Sequence, residues 1–412
     1  MTRDISDRYR PLGFWAWPTR YWSSLPDLVR SALLVAAAIA IGLVGWSGEP
    51  RLLPAAMLFP ALWALAPTRL GAALVAAGYF LAASRDLPQG VSNFYGAGFE
   101  AGIALWIAAS VLFVGTHTLL WTSRSGRGRL IRYATIAVLL SVPPIGIVGW
   151  AHPITAAGIL FPGWSWLGLG AATIGLLVMT TRFRQIAILM FGGLWIWSAA
   201  NWTAPVLPRG WVGVDTTFGG SNGQYAEYQQ HLHTIDSMRE EARGGASVIV
   251  LPESALGAWT PTSERLWAAA LKDLDVTVYG GAVIVDATGY DNVMLELSGQ
   301  RGATVRYRER MPVPVSMWQP WLDLLGEPAG ARADFFANPV VSVRGTRVAT
   351  LICYEQLLVW PILQSAFRSP ELLVAPANGW WTADTEIVAI QIAATTAWAR
   401  LFDLPLVLAI NT

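Results

Sequence analysis

Between Glu100 and Asp215 the chain contains no aspartate or glutamate. A water-exposed domain hardly tolerates so long a stretch without acids, so the first half of the 412 residues is expected to lie in a membrane. Composition agrees: 54% of residues are hydrophobic and 13% are charged, where about 25% charged is usual for a soluble domain. The net charge of +1 and the lack of any Lys/Arg-rich face exclude a nucleic-acid footprint. Residues 1–26 carry arginines among Trp and Pro without a cleavable-signal pattern.

Seven apolar runs follow, at 28–46, 53–66, 70–83, 101–121, 133–150, 154–179 and 186–199. A span needs ~20 apolar residues, so the second, third and seventh are short. Arginine placement supports counting all seven. Arg69, then Arg124, Arg127, Arg129 and Arg132, then Arg182 and Arg184 fall in alternate connections, as cytoplasmic loops require. The expected topology is a cytoplasmic segment 1–27, a transmembrane domain 28–200 and a periplasmic domain 201–412 of an inner-membrane protein. His117 falls inside the fourth run and reads either as a functional intramembrane group or as a neutral imidazole bonded within the helices.

After Asn201 the pattern changes to alternating strands and helices. Strands are expected at 211–215, 247–251, 276–285, 347–352, 372–375 and 404–410, with a hairpin formed by 292–297 and 303–308. Helices are expected at 224–243, 263–274, 357–368 and 391–401. Such alternation implies layered α and β elements with strands buried on both faces.

Two of these strands end in reactive side chains. Val-Ile-Val-Leu-Pro-Glu-Ser-Ala-Leu-Gly (248–257) delivers Glu253, and Val-Ala-Thr-Leu-Ile-Cys-Tyr-Glu (348–355) delivers Cys353, the single cysteine. A thiol attacks a carbonyl as the thiolate and so needs a base within reach, and Glu253 is the candidate. The tetrahedral intermediate then needs a donor at its oxyanion.

Leu-Pro-Glu-Ser-Ala-Leu-Gly and Leu-Ile-Cys-Tyr-Glu resemble the first and third signatures of the nitrilase, or carbon–nitrogen hydrolase, superfamily. The resemblance covers about residues 210–412, and the membrane half makes the apolipoprotein N-acyltransferases the nearest well-known branch. It implies an α-β-β-α sandwich, a Glu-Lys-Cys triad and acyl-thioester chemistry without a cofactor. The middle signature departs from the pattern. Tyr307, Val313 and Pro314 align with the acyltransferase motif, but Glu309 stands at the lysine position and Met317 replaces a second glutamate. Lys272, the only lysine, belongs to a helix before a different strand. Arg308 and Arg310 flank Glu309, and in an extended strand both point to the opposite face. A bulge could re-aim one of them, with Arg310 the candidate substitute cation. The branch also continues through more strands into an eighth span, whereas this sequence ends at Asn411-Thr412.

The resemblance places Tyr354, Glu355, Trp380 and Trp381 on the substrate side. Glu355 also resembles a family glutamate that orients the site or reads as a surface salt bridge, and the two tryptophans either contact an acyl chain or simply pack. Asn292, in Tyr-Asp-Asn, reads as a turn residue or as the counterpart of a structural asparagine of the family. The expected function is Cys-dependent acyl transfer or amide hydrolysis, with membrane lipids as partners and a phospholipid as acyl donor. Similarity to conjugal-transfer members of the superfamily adds conjugation or envelope proteins as partners. The alternative follows from Glu309. Two carboxylates beside Cys353 would raise its pKa and silence it, leaving an envelope scaffold or a lipid-binding component.

Overall fold

The structure, a computed structural model, describes residues 25–96, 98–219, 223–322, 325–327 and 330–412. Most of the expected cytoplasmic segment, residues 1–24, lies outside the described residues. The helical half comprises α1 (Asp27–Gly45), α2 (Phe59–Leu65), α3 (Arg69–Ala83), α4 (Leu87–Tyr95) and α5 (Phe99–Leu119). It continues through α6 (Arg127–Ser141), α7 (Ala157–Leu160), α8 (Ser165–Met179) and α9 (Arg184–Ala200).

Among the described residues, only α1 and α5 are single helices long and apolar enough to cross a membrane. The pair α3 and α4, bent by 51°, makes three at most. The seven-span domain expected from hydropathy is therefore corrected to two or three apolar helices able to cross. Proline is the main physical reason. Pro50 and Pro54 hold residues 50–58 in a 3₁₀ turn, leaving α2 only seven residues. The pair Pro143-Pro144 follows the end of α6, and Pro153 opens another 3₁₀ turn before the four-residue α7. Helices α8 and α9 have 15 and 17 residues, short of the ~20 that a bilayer core requires. The outer faces of α1 and α5 expose Leu33, Ile39, Ile107 and Val111, as lipid contact demands.

The bundle has two unlike ends. At one, Arg129 donates to Ser123 O at 2.9 Å and Thr180 O at 3.5 Å, gathering the arginine-bearing connections around 124–132 and 182–184. The other end meets the β half. There Tyr354 Oη donates to Ile147 O at 2.6 Å, and Asn93 Nδ2 donates to Trp381 O at 3.0 Å. His117 is buried, with Nδ1 2.8 Å from Phe113 O in the preceding turn and its ring among Phe59, Phe113 and Trp63, so it is satisfied within the bundle.

The second half contains two sheets. The first runs β1 (Trp211–Gly213), β2 (Val248–Val250), β3 (Thr277–Asp286), β4 (Gly289–Ser298) and β5 (Gly302–Arg308), parallel through β3 and antiparallel beyond it. The second runs β6 (Val341–Val343), β7 (Thr346–Thr350), β8 (Leu372–Asn378) and β9 (Leu406–Asn411), with β7 to β9 parallel. Their inner faces pack together through Val248, Val250, Met294, Val348, Val374 and Val407. Burial on both faces explains why these strands read as continuous aliphatic runs. Strand β6, three residues long, carries too little pattern to be legible.

Helices α10 (Gln224–Arg243) and α11 (Pro261–Leu271) cover the first sheet through Ile235, Met238, Trp267 and Leu271. Thr260 caps α11, its Oγ1 accepting from Ser263 N–H at 3.2 Å. Helices α12 (Val359–Ala366) and α13 (Ile387–Phe402) cover the second sheet. Helix α13 is buried nearly all round because the bundle packs on its other side. The contact is close: a Cβ on Gly158 of α7 would lie 1.7 Å from Ala397 O. The two halves therefore share one apolar core rather than meeting at a wet interface.

Candidate active site

The site forms where β2, β5 and β7 end. Beyond β2 the chain turns at Pro252-Glu253, with Ser254 in the left-handed region at φ 59°. The turn lies flat on β3 because Gly281 has no side chain; a Cβ there would sit 2.6 Å from Glu253 Cα. Beyond β7, Cys353 itself adopts φ 43° at the head of a one-turn 3₁₀ helix, Cys353–Leu357. A β-carbon in that region costs roughly 1–3 kcal/mol, and such strain is found where a side chain must be aimed. The strained backbone directs the thiol between the sheets and the bundle.

The Glu253 carboxylate hydrogen-bonds the Cys353 thiol. It also accepts from Asn292 Nδ2 at 2.6 Å and from Asn378 N–H at 3.1 Å. Burial pushes the Glu253 carboxyl up to about 7, against the opposing effect of these hydrogen bonds. Gln391 Nε2 approaches Cys353 Sγ at 3.6 Å from α13. Burial, and then the charges of Glu253 and Glu309, push the thiol well above its ordinary range.

Glu309 is brought to this cluster. Its N–H donates to Asn292 O at 2.8 Å, continuing the pairing of β5 with β4, and its Oε2 accepts from Asn292 Nδ2 at 3.0 Å. Burial first, then the charges of Glu253 and Glu355, raise its carboxyl well above the usual carboxylate range. Asn292 is thus a mid-strand residue of β4 that joins two carboxyl groups, which sets aside the turn reading and leaves the structural one. Tyr-Asp-Asn looks like turn chemistry locally; only the pairing of β4 with β3 and β5 shows otherwise.

Arg308 and Arg310 separate completely. Arg308 points outward to Asp291. The ladder irregularity lies upstream, where Met294 pairs with Tyr307 and Leu295 with Val305. Strand alternation ends at Arg308, so Arg310 turns inward, but toward Glu355. Its Nε donates to Tyr307 Oη at 2.8 Å and its Nη1 to Gln364 Oε1 at 2.8 Å, and Nη2 reaches Thr350 O and Ser365 Oγ. With its donors engaged there, Arg310 does not serve as the substitute cation beside Cys353. Glu355 is fully buried, accepting from Tyr307 Oη at 2.6 Å and from Ile352 N–H and Arg310 N–H at 2.9 Å each. It braces the loop that holds Cys353, nearer to the orienting role than to the substrate side, and does not line the cavity space beside the thiol.

Tyr354 and Trp381 do line that space. A cavity of about 260 Å³ runs from Cys353 past both, bounded on the bundle side by Leu87, Leu105, Ala108 and Trp150. An adjoining space of about 300 Å³ reaches Glu253, Asn292 and Trp380. Trp380 stacks on Phe94 of α4, ring centroids 5.6 Å apart. A third cavity, of about 280 Å³, lies on the other side of Glu253 and is more polar, with Glu227, Gln230 and His231 in its wall. Two participants were missed from sequence. Gln391 is a polar side chain within the largely apolar run of α13, a signal that was available, whereas the Asn378 N–H carries none.

The carbon–nitrogen hydrolase family profile matches residues 81–400. The chain is 55% identical to the conjugal transfer protein TraB of Agrobacterium fabrum, over 100% of both chains. It is 57% identical to the probable conjugal transfer protein TraB of Sinorhizobium fredii, over 94% of this chain and 99% of that one. Among solved structures, an amidase from Nesterenkonia of the nitrilase superfamily aligns at 15% identity and a TM-score of 0.38, covering 50% of this chain and 78% of that chain.

Proposed function

The chain belongs to the carbon–nitrogen hydrolase family of the nitrilase superfamily and is a close homologue of conjugal transfer protein TraB, and from that premise we propose that Cys353 forms an acyl-thioester at a membrane surface in support of plasmid transfer. One observation carries the reading. The thiol lies where a carboxylate base meets an apolar cavity walled by α5, an apolar helix with an exposed outer face. A cavity so placed suits an acyl chain arriving from lipid, and a phospholipid ester is the donor we favour.

In the first step Glu253 takes the thiol proton and the sulfur attacks the ester carbonyl. The C–O bond breaks, and the leaving alcohol takes the proton from Glu253. An amine or water, activated by Glu253, then attacks the thioester; the C–S bond breaks and the proton returns to sulfur. Gln391 Nε2, already at the sulfur, supplies a neutral donor to the developing oxyanion. Trp381 and Tyr354 bound the acyl chain, and Trp380 faces the space beyond Glu253.

We place the β half on the periplasmic side of the inner membrane and residues 1–27 in the cytoplasm. That arrangement needs an odd number of crossings and so takes α1, the bent pair of α3 and α4, and α5 as three. The division into a helical membrane domain, 28–200, and a hydrolase-like domain, 201–412, follows the same boundary, with conjugation and envelope proteins as partners.

The test is hydroxylamine-labile acylation of Cys353 in purified membranes, read by intact mass. Acylation that vanishes in Cys353→Ala, together with loss of plasmid transfer, supports an enzyme. The second reading, a silenced scaffold, is favoured by a thiol that burial and two carboxyl groups hold protonated. It requires no acylation in the wild type and normal transfer by the alanine variant.

A further inference from the structure

Two buried carboxyl groups, Glu253 and Glu309, share the single side-chain NH₂ of Asn292, at 2.6 and 3.0 Å. Both are at most 5% exposed. Among the described residues, no Lys, Arg or His forms an ion pair with either. The groups facing the pair are Cys353 from beyond β7, Tyr290 and Asn292 from β4, Asn378 from β8, and Glu355 with its Arg310. None of these offers the pair a free cation. Two like charges buried this way, with one amide between them, cannot both persist.

Hydrogen bonding decides which group keeps the proton. Glu253 receives Asn292 Nδ2–H, Asn378 N–H and the thiol. Glu309 receives Asn292 Nδ2–H alone, at the longer distance. Glu309 Oε1 and Asn292 Oδ1 are buried without a partner in the described structure, an acid oxygen and an acceptor on side chains already joined. We propose that Glu309 is a neutral carboxylic acid in the working protein, so that its proton does for the Glu253 charge what a neighbouring cation would do. The Glu253–Asn292–Glu309 unit then carries one negative charge, located on the base that touches the thiol. Glu309 is a positioning residue: it sets the charge of Glu253 and does not touch the reacting atoms.

The inference deepens the acyl-transfer reading and rests on Glu253 as the base, but its test does not depend on turnover. Infrared difference spectroscopy of the full-length protein in lipid nanodiscs, in H₂O and D₂O at neutral pH, reports protonated carboxyl groups directly. A deuterium-sensitive acid band is expected in the wild type and in Cys353→Ala, retained in Glu253→Gln and lost in Glu309→Gln. Absence of the band from the wild type, or its loss in Glu253→Gln with survival in Glu309→Gln, would overturn the proposal. Where the wild type acylates, Glu253→Gln should lose about a hundredfold or more in rate, which tests Glu253 as the base separately from the assignment of the acid band to Glu309.

Discussion

Two carboxylate clusters lie side by side between the sheets and differ in one respect. Glu355 sits with Arg310 and Tyr307, and every polar group has a partner: two backbone N–H groups, a phenol and a guanidinium. Glu253 and Glu309 sit with Asn292 and, among the described residues, have no cation partner and leave two oxygens orphaned. Both clusters are buried, yet the first holds the Cys353 loop in place and the second faces the Cys353 thiol. A satisfied ion pair is rigid and committed, whereas an under-satisfied pair can exchange a proton at little reorganisation. The arginine next in sequence to Glu309 therefore did not replace the family lysine. It belongs to the structural cluster.

The comparison is broken most severely by removing the cation of the structural cluster. Arg310→Met leaves Glu355 buried and unpaired, and should cost about 3–5 kcal/mol of stability, read as thermal unfolding in detergent. Glu309→Gln should cost less than about 1 kcal/mol, since a neutral amide replaces a neutral acid. Equal losses would show that the clusters are not different in kind. Next comes the base: Glu253→Gln should lower the acylation rate by about a hundredfold or more, with the fold intact.

A smaller effect sharpens the contrast by making the two clusters alike. Glu309→Lys supplies a cation to Glu253, whose carboxyl now stands at about 7. Because the base acts deprotonated, wild-type acylation should fall as pH drops through about 7. In Glu309→Lys that limb should move down by about 1–2 pH units, as a nearby opposite charge favours the ionised form. The stability sign follows from the same values. A raised carboxyl binds its proton more tightly in the folded state, so this contribution is full at acid pH. It fades as pH rises from about 4.5 toward about 7 for Glu253. The stability of the wild type relative to Glu253→Gln should therefore decline over that interval, and a difference independent of pH would contradict the arrangement.

What could be read from sequence was local. Glu253 and Cys353 each terminate an aliphatic run, and helix 224–243 has the same bounds in the structure. The hairpin of β4 and β5 was visible in its turn residues. What escaped reading depends on distant partners. Asn292 is defined by two carboxyl groups 17 and 39 residues away. The destination of Arg310 is set by Glu355, 45 residues on, and by where β5 happens to end. Hydropathy overcounted the crossing helices because an apolar average does not register where prolines interrupt a run. The contribution of α4 and α5 to the cavity wall was likewise invisible, since it arises from the two halves sharing a core.

The finest cut is Tyr307→Phe. The Tyr307 hydroxyl donates to Glu355 and accepts from Arg310 Nε, so its loss leaves one acceptor and one donor buried without that partner. Glu355 retains two backbone donors and Arg310 three further acceptors, which limits the cost to about 1–2 kcal/mol. The informative readout is the pH profile of acylation. Tyr307 bonds only within the structural cluster, so the profile should keep its midpoint while thermal stability falls. A midpoint that moved with Tyr307→Phe would mean that the two clusters are coupled. The separation of a bracing pair from a proton-holding pair would then have to be given up.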